Sequence, residues 1–291
     1  MLFLLLYSTL APPLHALESP KTLFVLPTNV ALGTINASLD PLRELTGGIS
    51  VMLTDDLVQA LPAASLSLTL VQPLTHKETG KVLPTSQILV GVDQLQPIQN
   101  NISFSVQNGG LIELRIAVRM NPFDNPGLYV GKLRITDYTN AIDLPITIEV
   151  LPWAKIKLAQ PESTLVSDGQ PPGPTAFLTT GKNTILWIAS NTNWRLLLSQ
   201  ATDLVSHSLF EEWKIPASDL KMRIFPSDWV FPLYDNYTSL GQHPLEFALG
   251  KATGKFSDGW IPIVADFQLP FTRTVSAGNY LGSLEFVVHP Q

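Results

Sequence analysis

The sequence lacks cysteine and has few charged residues. Its 291 residues contain no Cys, which excludes disulfides, thiolate metal sites and a cysteine nucleophile. Charged residues make up 14%, against about 25% in typical soluble proteins, and the formal net charge is −6. No run rich in Lys and Arg occurs, so the basic patch that nucleic-acid binding needs is missing. We therefore expect neither DNA nor RNA as a partner.

Residue patterns typical of active sites are also missing. No Gly-x-Ser-x-Gly elbow and no phosphate-binding loop occur. The histidines are scattered without the spacing of zinc ligands, and we expect them at the surface or in turns. They are His15, His76, His207, His243 and His289. The sequence therefore predicts a protein that is not an enzyme, with no metal site and no cofactor.

The N-terminus predicts export. The apolar run of residues 1–10 is shorter than the roughly 20 residues of a membrane-spanning helix, and it matches the core of a secretory signal peptide. No Lys or Arg precedes this run, although a typical signal carries one. We expect residues 1–16 to be a signal peptide cleaved after Ala16, and the mature protein to be secreted, periplasmic or on the surface of a bacterial cell. We predict no stable transmembrane span.

Apolar and polar residues alternate along much of the chain. Leu66, Leu68 and Leu70 alternate with Ser and Thr. Residues 102–106 and 111–120 flank an Asn-Gly turn, and we expect them to pair as a hairpin. Many such strands with no alternating helical segments predict an all-β fold of antiparallel sandwiches. The length suggests two domains, which we place at residues 19–152 and 154–291.

One short motif occurs twice. GLYVGKLRI at 127–135 and GNYLGSLEF at 278–286 share the spacing of Gly, Tyr, Gly and Leu. In immunoglobulin-like sandwiches, a Tyr near the start of strand F anchors a corner through its hydroxyl. Both copies resemble this corner, with Tyr129 and Tyr280 in the tyrosine position. The resemblance is to bacterial immunoglobulin-like surface proteins, and it implies two tandem immunoglobulin-like domains.

The two copies are followed by different lengths of chain. AIDLPITIEV at 141–150 supplies a strand G after the first copy, whereas only HPQ follows LEFVV after the second. We therefore expect an open edge strand in the second domain, with Leu284, Phe286 and Val288 along it. The alternative is a sheet that is completed by another strand of the same domain. Residues 22–30 are either a donor strand for a neighbouring molecule or strand A of their own domain.

This arrangement is similar to the pilin domains of chaperone–usher fimbriae and to two-domain tip adhesins. The resemblance implies an exported structural or cell-adhesion protein of a pilus or fimbrium, with other protein subunits as partners and a donor strand entering the C-terminal domain. A second alternative is a periplasmic assembly chaperone with a basic cleft. Arg115, Arg119, Lys132 and Arg134 are candidates for that cleft, although their alternation places them on solvated faces.

A further alternative is a carbohydrate-binding module that recognises a surface glycan. Residues 227–237 hold four aromatic side chains close to Asp and Asn, and such a set can stack on sugar rings and bond their hydroxyls. These candidate ligand-binding residues are Trp229, Phe231, Tyr234 and Tyr237. The other interpretation is that the rings pack over the end of the sandwich as a satellite cluster.

Overall fold

The regular structure of the described residues is β-structure, apart from two short 3-10 turns. The computed structural model describes residues 22–36, 44–54, 64–98, 101–106, 111–137, 140–167, 171–206, 213–241, 244–256, 258–271 and 279–291. Strands make up 61% of the structure, and these described residues form no α-helix. The prediction of an all-β fold is therefore confirmed. The predicted signal peptide, residues 1–16, lies outside the described residues.

Residues 22–150 form ten strands. They are β1 (Thr22–Leu26), β2 (Val30–Ile35), β3 (Glu44–Thr54), β4 (Ala64–His76), β5 (Ile88–Gly91), β6 (Gln96–Pro97), β7 (Asn101–Val106), β8 (Leu111–Arg119), β9 (Gly127–Thr136) and β10 (Ala141–Val150). A single 3-10 turn, Thr85–Gln87, precedes β5. These strands follow the alternating segments of the sequence, because each strand turns one face to a core and the other to solvent.

These ten strands form two five-stranded sheets around one core. Sheet A has the order β1-β3-β8-β5-β6, and sheet B has the order β2-β10-β9-β4-β7. The β2–β10 pair is parallel, whereas the pairs of β10 with β9 and of β9 with β4 are antiparallel. Residues from both sheets, among them Ile116, Leu133 and Ile146, are fully buried in this core. We call this unit the first sandwich.

The described residues of 154–290 form fourteen strands. They are β11 (Ala154–Leu158), β12 (Leu165–Ser167), β13 (Phe177–Thr180), β14 (Thr184–Ser190), β15 (Trp194–Ala201), β16 (Leu204–Ser206), β17 (Lys214–Ile215), β18 (Lys221–Ile224), β19 (Val230–Pro232), β20 (Thr238–Ser239), β21 (Leu245–Gly250), β22 (Ile261–Pro270), β23 (Tyr280–Leu281) and β24 (Leu284–Pro290). A 3-10 turn, Ala217–Asp219, precedes β18.

A second core lies between two of the sheets that these strands form. Sheet C has the order β11-β14-β22-β13-β12, with β18 also pairing with β22, and β20 pairing with β18. Sheet D has the order β19-β21-β15-β24, and a small sheet E has the order β17-β16-β23. Trp194, Leu196 and Phe247 from sheet D pack with Ile261 and Ile263 from sheet C. We call this unit the second sandwich.

Hydrogen bonds join the two sandwiches at the linker between them. The indole of Trp153, which is 3% exposed, donates to the Pro122 carbonyl at 2.8 Å. The side chain of Asn191 accepts from the Trp153 backbone N–H at 2.9 Å and donates to the carbonyls of Leu151 and Asp124 at 3.2 and 3.3 Å. One buried amide thus bonds to the first sandwich and to the linker, and it holds both against the second sandwich.

The ring of Phe123 completes this joint. It packs against Trp153, with 5.6 Å between the ring centroids. The Phe123 side chain also fills the space above two glycines of the second sandwich, since a Cβ at Gly254 would lie 2.6 Å from the Phe123 Cβ, and a Cβ at Gly259 would lie 1.8 Å from a ring atom. Gly259 has a φ of +71°, so both its backbone conformation and this close approach favour glycine.

Candidate functional site

The two copies of the repeated motif lie in different surroundings. The first is on one continuous strand, β9, whereas the second is divided between β23 in sheet E and β24 in sheet D. Strand β9 lies between β4 and β10, so Leu133 faces Leu70 on one side and Leu144 on the other. Strand β24 pairs with β15 alone among the strands that the structure describes, with Phe286 opposite Leu198. Its other side is therefore an edge of sheet D, which we call the open edge.

The side chains of β24 are less buried than their counterparts on β9. Leu133 and Ile135 are fully buried. Leu284 and Phe286 occupy the same positions in the sequence relative to the Tyr of the second motif copy, but they are only half-buried. Val288 is half-buried as well, and all three β24 side chains pack against the second core. The open edge thus combines a row of half-covered apolar side chains with backbone groups that none of the described strands covers. Such an edge is able to accept an extended strand.

Sheet C does not close this edge. Strand β11 lies close to part of β24 across the sandwich, but it pairs with β14. Residues 22–30, one alternative for a donor strand to another molecule, pair within their own sandwich. Strand β1 pairs with β3, and β2, which begins at Val30, pairs with β10.

Tyr129 is the third residue of β9, and its side chain closes the corner directly before this strand. It is fully buried, and its hydroxyl donates to the carbonyl of Asn125, four residues upstream, at 3.0 Å. Burial raises the pKa of Tyr129 well above its ordinary value, and the charge of Asp124 raises it further. The hydroxyl therefore remains a donor at neutral pH. Tyr280, the counterpart, is half-buried and packs against the second core.

The sequence placed His76 at the surface or in a turn, and this was wrong. His76 ends β4 and is only 2% exposed. Its Nδ1 accepts from the backbone N–H groups of Glu78 and Thr79 at 3.2 and 3.0 Å, so Nε2 carries the proton and donates to Pro126 at 2.8 Å. The His76 and Tyr129 rings pack edge to face, with 5.0 Å between their centroids. His76 therefore fixes the turn that leads into β9.

The four aromatic residues predicted to form a ligand platform have different surroundings. Trp229 packs edge-on against Phe256 at 5.1 Å and contacts the second core. Phe231 and Tyr234 are 44% and 37% exposed, and the Tyr234 ring meets Phe247 at 5.9 Å. Trp229 therefore packs over the second core, as the interpretation of these rings as a satellite cluster expected. Phe231 and Tyr234 expose ring surface to solvent.

Tyr237, the fourth ring, belongs to a polar cluster at sheet C. Its hydroxyl donates to Asp266, which also accepts from Thr180 and lies 3.9 Å from Arg223. Burial and the bond to Asp266 raise the pKa of Tyr237. The Arg223 guanidinium lies 4.7 Å from the Tyr237 ring centroid. These contacts hold Tyr237 in place within the outer surface of sheet C.

Three of the four basic residues proposed for a chaperone cleft make hydrogen bonds or ion pairs at the surface. Arg134 makes a two-bond pair with Asp143 at 2.6 and 3.1 Å, and Lys132 lies 3.4 Å from the same carboxylate. The Arg134 guanidinium holds the pKa of Asp143 below its ordinary value. Arg115 donates to the Asp93 carbonyl at 2.8 Å. Asp143 thus offsets part of the positive charge of Arg134 and Lys132, whereas the bond of Arg115 to a neutral carbonyl offsets none.

The part of the chain that the structure describes holds no group of three or more His, Asp or Glu side chains arranged to bind a metal ion. It also contains no helix that is long and apolar enough to cross a membrane.

Of the comparisons with known proteins, only the comparison with solved structures gives matches. No protein-family model and no curated protein matches the chain. A chaperone–tip adhesion subunit complex from the archaic chaperone–usher Csu pili of Acinetobacter baumannii is 12% identical, over 92% of this chain and 99% of that one, with a TM-score of 0.44. The CfaE adhesin of enterotoxigenic Escherichia coli is 14% identical over 93% and 81% of the two chains, with a TM-score of 0.34.

A family 123 glycoside hydrolase from Clostridium perfringens is also similar in part. It is 15% identical over 45% of this chain, and the match spans 27% of the hydrolase, with a TM-score of 0.32. Chaperone–usher pilus proteins are thus among the solved structures that resemble the chain, as the repeated motif suggested. None of these identities or TM-scores assigns a function to it.

Proposed function

We propose that this protein is a non-enzymatic structural or adhesion subunit of an exported assembly, and that its second sandwich accepts a strand from another chain at the open edge of β24. One observation carries the proposal: among the strands that the structure describes, β9 has a neighbour on each side, whereas its counterpart β24 has one. The N-terminal apolar run supports export, and the open edge supports a protein partner.

Both sandwiches are proposed to be immunoglobulin-like. In such a fold the order A-B-E-D of one sheet faces the order C-F-G of the other. Sheet A supports this assignment with β1-β3-β8-β5, and sheet B supports it with β4-β9-β10. In the second sandwich, β15 and β24 correspond to strands C and F. The place of strand G, beside β24, is the one that a donor would take.

The first sandwich supplies a template for the donor. Strand β10 runs antiparallel to β9, with Leu144 opposite Leu133 and Ile142 opposite Ile135. Because Leu284 and Phe286 correspond to Leu133 and Ile135, a strand like β10 would set alternate aliphatic side chains over the second core. Fully burying one such side chain contributes about 1.5–3 kcal/mol, so several together offset the cost of ordering a short peptide.

The test uses a peptide with the sequence of residues 141–150, added to the chain from residue 17 to residue 291. We expect saturable binding and a higher Tm, because a ligand that binds only the folded state stabilises it. The control peptide carries Asp in place of Ile142, Leu144, Ile146 and Ile148. It retains the length and the backbone but loses the apolar face, so it should neither bind nor stabilise.

Two variants locate the binding. Phe286→Asp at the open edge should abolish peptide binding, because a carboxylate replaces the apolar contact. Val166→Asp is the matched control, since Val166 is 47% exposed on β12, and this variant should bind as the unchanged protein does. No stabilisation by the peptide, or equal stabilisation by both peptides, would refute strand acceptance.

A further inference from the structure

A groove of about 720 Å³ opens along one side of the second sandwich. One wall is the connection from β11 to β12, and the other is the turn from β13 to β14. Its polar lining comes from both walls: Gln160, Glu162, Ser163, Thr164, Lys182 and Asn183. Its volume is in the range of sites that bind small molecules, about 300–1,000 Å³.

The chemistry of the lining favours a neutral ligand that is rich in hydroxyl groups. Amides and hydroxyls are the commonest polar groups of the lining, the single carboxylate of Glu162 is balanced by the single ammonium of Lys182, and apolar atoms supply most of the exposed lining area. An anionic ligand would need several cations, whereas a sugar, with hydroxyls and apolar C–H faces, matches both kinds of lining. The hydroxyls of Ser163 and Thr184 are hydrogen-bonded to each other, which joins the two walls.

Aromatic side chains extend the groove along sheet C. Ile185 lines the groove, and Trp187 is two residues further along β14, so it lies on the same face about 7 Å away. Trp187 and Trp260 are both partly exposed. The Lys157 ammonium lies 4.1 Å from the Trp260 ring centroid and 6.0 Å from that of Trp187. Ring surface and a hydrogen-bond donor therefore continue from the polar groove.

We propose that this groove, together with Trp187, is a binding site for a neutral oligosaccharide. One sugar unit would bond its hydroxyls to Gln160, Ser163 and Asn183. The next unit along would set its C–H face on the Trp187 ring, within reach of the Lys157 ammonium. The site is separate from the residues of 227–237 that the sequence singled out, and it does not depend on strand acceptance at β24.

The test follows the tryptophan indole N–H signals by NMR while neutral tetrasaccharides are added. The probes are cello-, manno-, xylo-, laminari- and chito-tetraose, with tetragalacturonate as an acidic comparison. We expect at least one neutral probe to shift the Trp187 signal, which is assigned by its loss in Trp187→Phe. The signal of Trp213, which is exposed in another part of the second sandwich, should not move.

Variants then separate the groove from the exposed rings. Trp187→Ala and Asn183→Ala should each weaken binding by about tenfold or more, whereas Phe231→Ala should bind as before. Thermal melts establish that each variant is folded. The inference is overturned if no neutral probe shifts the Trp187 signal, if tetragalacturonate binds more tightly, or if binding survives Trp187→Ala but is lost in Phe231→Ala.

Discussion

At the scale of single residues, Tyr129 and His76 together hold the corner before β9. The Tyr129 hydroxyl donates to Asn125, and the His76 ring bonds to backbone groups on both sides of the corner. Gly127 starts the strand with a φ of +129°, and a Cβ there would lie 2.4 Å from His76 Nε2. Glycine is thus needed both for the backbone conformation and for the close approach of the imidazole.

The Tyr129 hydroxyl predicts a loss of stability at alkaline pH. Its pKa is raised in the folded protein, so its contribution is complete below the unfolded pKa of about 10 and is lost as the pH rises above that value. Tyr129→Phe keeps the ring but removes the bond to Asn125, and we expect it to cost about 1 kcal/mol at neutral pH. Urea unfolding measures this difference at neutral pH and above the unfolded pKa.

The difference between the Tyr129→Phe variant and the unchanged protein should shrink above the unfolded pKa of tyrosine. Tyr234→Phe is the matched control, because Tyr234 is 37% exposed, and it should change stability little at either pH. If the difference in free energy of unfolding between Tyr129→Phe and the unchanged protein stays constant or grows with pH, the assignment of Tyr129 as a buried donor is contradicted.

At the scale of secondary-structure elements, the sequence predicted strands well and their partners poorly. The Asn-Gly turn predicted that β7 and β8 form a hairpin, and this was wrong: β7 pairs with β4, and β8 pairs with β3 and β5. The alternation of Leu66, Leu68 and Leu70 predicted β4, since it reports which side chains face a core. His76 was missed because one polar residue at the end of a strand carries no periodic signal. The pairing of β2 with β10, parallel and distant in sequence, has no local signature either.

The candidate sites show the same limit. Trp229 and Tyr237 are close in sequence, yet Trp229 contacts Phe256 and Tyr237 contacts Asp266 at sheet C. Proximity along a loop therefore did not indicate a shared surface. The groove was missed for the opposite reason, because Ser163 and Thr184 meet across two separate connections. The open edge stays a prediction, and it could be made from the sequence because the repeated motif allows one strand to be compared with another inside the same chain.

At the scale of the whole molecule, the joint at Asn191 couples the two sandwiches. Asn191 is 3% exposed, and its side chain bonds to backbone groups of Trp153, Leu151 and Asp124. Asn191→Ala would leave these three groups without their partner. We expect it to lower the free energy of unfolding by about 2–4 kcal/mol and to let the sandwiches move apart.

Urea unfolding and small-angle X-ray scattering check this prediction. The Asn191→Ala variant should unfold at lower urea concentration and give a broader distribution of interatomic distances. Asn183→Ala, in the β13–β14 turn, is the matched control and should leave both measurements unchanged. If Asn191→Ala has the stability and the scattering of the unchanged protein, the hydrogen bonds of Asn191 do not hold the joint.

The central claim is that β24 has an open edge, and hydrogen exchange of its backbone amides tests it most directly. Alternate residues of an edge strand direct their N–H groups to the paired side and to the open side. We expect the amides of residues 284–289 to alternate between slow and fast exchange, and the fast ones to become slow when the peptide of residues 141–150 is added. Uniformly slow exchange along β24 in the protein alone would show that the edge is already covered, and would contradict the account.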